Sequence, residues 1–246
     1  MTLIRQILFN ICFYGFTFLY CFVGLPTLLL PRPIYFKILL WYFNTVYKIE
    51  KYVLGLDYEV RGLENLPSDG RYIIAAKHFS AYETMKLHIL FPDPAIIMKR
   101  ELKSIPLWGW HAAKSDMIFI DRGSRDVALK SIIKGGKRMK DLGRPIIIFP
   151  QGTRVNIDDT TQNRPYKFGI MRMYDELQLP IIPLAMDSGV YWGKNAFLKK
   201  SGTAVFEFLP PIPAGLDTQT AFQTMVNAIE TTSQKLVSEA ITKTSS

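Results

Sequence analysis

Residues 7–30, ILFNICFYGFTFLYCFVGLPTLLL, contain no charged side chain. As a single helix they would extend about 36 Å, against about 30 Å of bilayer hydrocarbon. A signal peptide fits this run poorly, because the following LLLPRP offers no small-residue cleavage site. A buried soluble helix of this length would normally carry some charge. The expectation is therefore insertion into a membrane, either as a span or, with a kink at Pro26, as a re-entrant hairpin.

The segment that follows, IYFKILLWYFNTVYKIEKYVLG (34–55), has a different pattern. On a helical wheel Lys37, Asn44, Lys48 and Lys51 fall within about 60° of one another, and nearly everything else is aliphatic or aromatic. A narrow polar stripe on a broad apolar helix suits a bilayer interface, with the lysines reaching to headgroups. A core helix with one solvated face would show the same stripe. Arg32, Lys37, Lys48 and Lys51 follow the apolar run while Arg5 alone precedes it, which predicts a cytoplasmic placement for the rest of the chain. Cys12 and Cys21 are the only cysteines, and nine helical residues apart they face opposite ways. That excludes a disulfide framework and a thiolate metal site.

Charge separates the chain further. Residues 1–56 hold five Lys or Arg against one acid, residues 57–150 sixteen against eleven, and residues 151–246 nine of each. The basic surplus thus lies beside the most apolar part of the sequence. This suits anionic membrane lipids, whereas a nucleic-acid surface would interleave exposed aromatics among the charges.

Beyond residue 56 short apolar runs alternate with helical patterns. Strands are expected at YEVRG (58–62), YIIAA (72–76), AIIMK (95–99), DMIFI (116–120), PIIIF (145–149), IIPLAM (181–186) and AVFEFL (204–209). The stretch 124–143 places Leu129, Ile132, Ile133, Gly136 and Met139 on one helical side, and Phe222, Met225, Ile229, Leu236 and Ala240 do the same near the end. The expected fold is α/β, a mixed and mostly parallel sheet flanked by helices, with an N-terminal membrane-inserted helix pair. Residues 1–56 form the expected anchor and 57–246 the main domain.

Three strand ends carry chemistry. In KHFSAYET (77–84), Ser80 and Glu83 spell a capping box, S-x-x-E, which by itself would make Glu83 a structural residue. A strand-to-helix turn, however, is where α/β folds place their sites, and it would let Glu83 approach His78 as the partner of a general base. In IIIFPQGTR (146–154), Gly152 allows close backbone approach to a ligand, and Thr153 and Arg154 suit phosphate oxygens. FIDRGSR (119–125) repeats the scheme with Arg122 and Arg125. No histidine or carboxylate cluster has metal-ligand spacing, and no G-x-S-x-G suggests an acyl-serine hydrolase. His88 and His111 read as packed or solvent-facing rather than catalytic.

The order and spacing of these blocks resemble the glycerolipid acyltransferases, especially the lysophosphatidate acyltransferases. The family's His-x4-acid motif is similar to His78 and Glu83, its second block to IPLWGW…FIDRGSR, its F-P-E-G-T-R to Phe149–Arg154, and its proline-bearing apolar strand to LPIIPLA with Pro183. YKFG (166–169) resembles a basic loop following the third motif. The resemblance covers residues 70–190, and an N-terminal membrane helix pair is also expected of the family. It implies direct acyl transfer from an acyl thioester, acyl-CoA or acyl carrier protein, to the free hydroxyl of a lysophospholipid, with no cofactor and no metal. His78 and Glu83 would be catalytic; Arg122, Gln151, Gly152, Thr153 and Arg154, with Lys99 and Lys167, would bind the acceptor. Two positions depart from the pattern. Glu83 replaces the commoner aspartate, and Gln151 replaces a glutamate, keeping an acceptor oxygen but losing charge. An acyltransferase for another lysolipid, such as a lyso-aminolipid, and an inactive lipid-binding protein are the alternatives that Gln151 leaves open.

Overall fold

The computed structural model of the protein describes residues 3–245 except 92, 122 and 124. All seven expected strands form: β1 (Leu56–Arg61), β2 (Ile73–Ala76), β3 (Ala95–Lys99), β4 (Ile118–Ile120), β5 (Ile146–Ile148), β6 (Ile181–Met186) and β7 (Gly202–Phe208). They make one sheet in the order β1-β7-β6-β2-β5-β3-β4. Every neighbouring pair is parallel except β6 and β7. The mixed, mostly parallel sheet expected from the strand–helix alternation is therefore present.

Period-two alternation sends adjacent strand residues into different cores. Ile74, Ala76, Ile147 and Ile182 face one helical layer. That layer contains α1 (Leu3–Val23), α2 (Arg32–Ile49) and α3 (Tyr82–Leu90). Ile73, Ala75, Ile146 and Ile181 face the other, built from α5 (Arg125–Asp141), α6 (Gly169–Leu177) and α8 (Thr218–Ser245). Two glycines inside α5 have a packing reason. A Cβ on Gly135 would meet Ile118 of β4 at 2.9 Å, and one on Gly136 would meet Leu177 of α6 at 2.6 Å. The KGGK sequence thus sacrifices helix propensity for close approach on two sides. The remaining helices are short: α4 (Trp108–Lys114) precedes β4, and α7 (Ser188–Tyr191) follows β6.

The expected N-terminal helix pair forms, joined by a 3-10 turn at Leu25–Leu29 with Pro26 at its start. Leu3–Val23 has a mean hydropathy of 1.6 over its most apolar window, with 22% of that window buried. The helix is held to the rest of the protein at both ends. Near its start, Gln6 Nε2 donates to Lys199 O at 2.6 Å and Lys199 N–H donates to Gln6 Oε1 at 3.0 Å. Near its end, His111 Nε2 bonds Cys21 O at 3.1 Å. One face, with Phe9, Tyr20 and Cys21, is buried; the opposite face exposes Ile4, Ile11, Tyr14, Phe18 and Phe22. In α2 and the turn after it, Lys37, Lys48 and Lys51 are exposed and Asn44 is half-buried, whereas Tyr35, Leu39, Tyr42 and Val46 are buried. Phe9, Tyr35 and Val46 belong to the same core as Ile74 and Phe206 of the sheet.

Candidate active site

Five parallel strands, β6, β2, β5, β3 and β4, bring their C-terminal ends to one edge of the sheet, the edge on which α/β folds build their sites. His78 follows β2 there. Its Nδ1 lies 2.8 Å from Glu83 Oε1. A carboxylate can only accept, so Nδ1 carries a proton, and in the neutral imidazole Nε2 holds the lone pair. The imidazole also stacks on Phe149, ring centroids 4.0 Å apart, which fixes its plane.

Glu83 is fully buried and receives five hydrogen bonds. Oε1 accepts from His78 Nδ1, from Phe79 N–H at 2.7 Å and from Ser80 N–H at 2.6 Å. Oε2 accepts from the hydroxyls of Ser80 at 3.2 Å and Ser188 at 3.1 Å. These donors replace the water that a buried carboxylate loses. Half of the capping box forms as well: Glu83 reaches back to the Ser80 amide, while Ser80 Oγ accepts from Tyr82 N–H at 3.1 Å, one residue short of the Glu83 amide that a full box engages. Capping and orientation of the histidine are thus performed by one side chain. The cap fixes the start of α3, and α3 fixes the carboxylate.

FPQGTR forms the second wall. Gly152 N–H donates to Phe149 O at 2.9 Å, closing a turn with proline at its second position. Gly152 has φ of +71°, a conformation that side chains resist. Val155 N–H donates to His78 O at 2.8 Å and ties this turn to the histidine. Lys167 closes over it. Its N–H donates to Pro150 O at 2.9 Å, and its Nζ lies 2.9 Å from where a Cβ on Gly152 would sit. Arg154 is half-buried, and Thr153 is exposed on the same turn. The structure therefore assembles His78, Glu83, Gly152, Arg154 and Lys167. Lys99 ends β3 on the same edge, exposed, with β5 between it and β2. Arg122 lies outside the described residues; its neighbour Asp121 pairs with Arg100 at 3.2 Å.

Gln151 is 4% exposed, and its Nε2 donates to Arg164 O at 3.3 Å. Its Oε1 is buried and has no hydrogen-bond partner among the described residues. The amide therefore ties the turn to the 157–166 loop with the one group a glutamate lacks. His88 and His111 are both buried. His88 stacks on Phe43 of α2 at 4.3 Å, and burial holds its pKa down at about 4. His111 bonds Tyr35 and Cys21, joining α4 to the N-terminal pair.

Some supporting residues carry no sequence signal. Ser188 reaches Glu83 from beyond β6, and only the tertiary fold makes them neighbours. Lys77, beside the histidine, points into the opposite layer and pairs with Glu230 at 2.9 Å, which also accepts from Tyr166 at 2.7 Å. Lys86, one turn beyond Glu83 on α3, pairs with buried Glu50 and is surrounded by Tyr47, Tyr58 and Tyr82.

The half-buried His78 and the buried Glu83 thus lie beside a glycine turn that carries Arg154 and that Lys167 closes over. A family model described as Acyltransferase covers residues 57–187, more than half of the chain, and the chain belongs to that family. It is 36% identical over 155 residues to a 1-acyl-sn-glycerol-3-phosphate acyltransferase of Pseudomonas aeruginosa, covering 63% of this chain and 59% of the relative. A protein of the same name from Saccharomyces cerevisiae is 34% identical over 143 residues, covering 58% of this chain and 46% of the relative. The chain thus spans about half of the length of these relatives. The fold is similar to the crystal structure of the 1-acyl-sn-glycerophosphate (LPA) acyltransferase, PlsC, from Thermotoga maritima. The TM-score is 0.72 at 23% identity, with 96% of each chain covered.

Proposed function

We propose that the protein transfers a fatty acyl group from an acyl thioester to the free sn-2 hydroxyl of lysophosphatidate, giving phosphatidate, with His78 as general base. The observation that carries this reading is the Nδ1–Glu83 bond, because it makes Nε2 the acceptor of the neutral ring, beside the turn that carries Arg154 and that Lys167 closes over. The names of the relatives supply the acceptor. Nε2 takes the hydroxyl proton as the oxygen attacks the thioester carbonyl, and Glu83 stabilises the imidazolium. That proton then passes to the departing thiolate, so the histidine is regenerated. Arg154 and Lys167, with Arg122 by its place in the motif, hold the acceptor phosphate and place the hydroxyl at the base. The thioester is acyl-CoA or acyl carrier protein; both donors satisfy the same chemistry.

The exposed apolar face of α1 supports a membrane location. With α1 fastened at both ends, that face would lie along the bilayer surface, the main domain on the cytoplasmic side as the flanking charge suggests. The test is thioester consumption by purified protein offered lysophosphatidate beside a phosphate-free lysolipid, each with wild type and His78→Ala. Transfer to lysophosphatidate alone, lost in the folded variant, is expected. Transfer only to the other lipid would move the acceptor assignment. Undiminished turnover by His78→Ala would overturn the mechanism.

A further inference from the structure

The loop between α7 and β7, WGKNAFLKKS (192–201), takes no part in the site and is unusual in composition. It carries Lys194, Lys199 and Lys200, and no acidic residue occurs between Asp187 and Glu207. Phe197 and Leu198 at its tip are 59% and 60% exposed. Two large apolar side chains left in water matter most when the backbone holding them is fixed, and here it is. Lys200 N–H donates to Tyr191 O at 2.8 Å, closing the loop at its base, and Ala196 N–H donates to Gly193 O at 3.2 Å, forming an inner turn. A closed, internally bonded surface loop of this length is of the kind that often carries function.

The same loop is locked onto α1. Lys199 exchanges two backbone hydrogen bonds with the Gln6 amide, and its ammonium turns inward to Asn10 Oδ1 at 3.1 Å over the rings of Phe9 and Trp192. Burying Lys199 leaves Phe197 and Leu198 facing out. Leu198 and Leu3 line one groove, with Gln6, Glu59 and Lys243 on its polar side, so the loop tip adjoins the start of the apolar face of α1. Lys200 is exposed, and Arg5 lies beside the neighbouring Ser201 across Gly55. Apolar tip, basic rim and an adjoining apolar helix face together fit the polar–apolar boundary of an anionic bilayer.

We propose that residues 193–200 are a second membrane-contacting element, dipping Phe197 and Leu198 into the lipid interface beside α1 and setting Lys194 and Lys200 against anionic headgroups. The inference rests on the membrane location given above for α1. It adds a consequence for the site: Ser188, which bonds Glu83, lies on the short α7 that leads into this loop, so lipid contact here would lie next to the catalytic pair.

The test is co-sedimentation of the full-length protein with vesicles of phosphatidylcholine, alone or mixed with phosphatidylglycerol, with no substrate present. If wild type binds neither vesicle, the membrane location itself fails. If wild type binds, Phe197→Ser/Leu198→Ser is expected to weaken partition at least tenfold on both vesicles. Lys194→Gln/Lys200→Gln is expected to lose about fivefold per lysine, only where phosphatidylglycerol is present. Unchanged thermal unfolding would show that the loop still folds. As a second measurement, Phe197→Trp should gain fluorescence quenching by brominated lipid above the wild-type background. Binding equal to wild type in both double variants, or no added quenching, would overturn the proposal whatever the enzyme's acceptor proves to be.

Discussion

Glu83→Gln isolates the charge of the carboxylate proposed to act with His78 from its shape. Glutamine can place its oxygen at the Oε1 position, where His78 Nδ1 and the amides of Phe79 and Ser80 converge. Its NH2 group would then meet the hydroxyls of Ser80 and Ser188, which can rotate to accept. The variant should therefore fold, losing about 1–2 kcal/mol as charge-assisted bonds become neutral ones. What it cannot do is compensate the imidazolium. Taking about 4 Å between charge centres and an effective dielectric near 20, that attraction is about 4 kcal/mol, an upper figure equivalent to about a thousandfold in rate. The expected result is a fall in kcat of about 10²–10³ with the KM of both substrates within about threefold. The assay is steady-state thioester consumption beside a thermal melt. A folded variant with kcat near wild type would show that Glu83 only caps α3, and the acid–base assignment of His78 would lose its support.

Arg154→Ala is expected to raise the lysophosphatidate KM about tenfold or more and the thioester KM little; equal effects in two-substrate kinetics would refute the phosphate role. Gln151→Glu places a carboxylate against Arg164 O in a buried turn, so it should lower Tm and activity near neutral pH and recover in part in acid, where a protonated carboxyl can donate to that carbonyl. Asp187 is buried, accepts from Val205 N–H, and has its pKa pushed up from 3.8 to about 7 by burial. The folded state therefore holds a proton that the unfolded chain releases, so this group costs stability progressively as pH rises from about 4 to 7, by up to about 4 kcal/mol. Asp187→Asn keeps an acceptor for Val205, so its melting temperature should gain on wild type across that interval; parallel curves would refute the assignment.

Much of this arrangement was legible because local pattern and tertiary position agreed. Each strand is a short apolar run between turn signals, and β3 and β6 fall on the expected residues. The first two residues of β1 were missed because LD lacks β-branched character; they are recruited by pairing with Gly202 and Thr203 of β7. At the site, S-x-x-E and His-x4-acid overlap in five residues, and spacing alone could not rank capping against catalysis. The structure shows one carboxylate performing the cap and orienting the imidazole. Ser188 was invisible because its partner is 105 residues away. The bond between Gln151 and Arg164 was equally hidden, since composition shows a missing charge but not the carbonyl that the amide engages.

The N-terminal helices bear on the candidate site through packing, whatever lipid they touch. Phe9, Tyr35, Val46 and Leu54 have no exposed surface, and the residues they cover belong to the layer that holds α3. Glu50, in the π-helical turn that ends α2, is the carboxylate partner of Lys86, and Lys86 is fully buried one turn from Glu83. Removing residues 1–56 would uncover those core contacts and strip the Lys86 ammonium, among Tyr58 and Tyr82, of its hydrogen-bonded carboxylate, with only the more distant Asp57 left to attract it. Breaking one partner from such a pair costs about 3–5 kcal/mol, against a total stability of about 5–15 kcal/mol for a domain. A fragment of 57–246 is therefore expected to lose its near-ultraviolet circular dichroism, bind a hydrophobic dye and be inactive even toward micellar lysolipid. Lys86→Met in the same fragment should recover part of the loss, because methionine removes the stranded charge and keeps the volume. A truncated protein that unfolds cooperatively and turns over micellar substrate would mean that these helices serve attachment alone, and that α3 holds Glu83 in place without them.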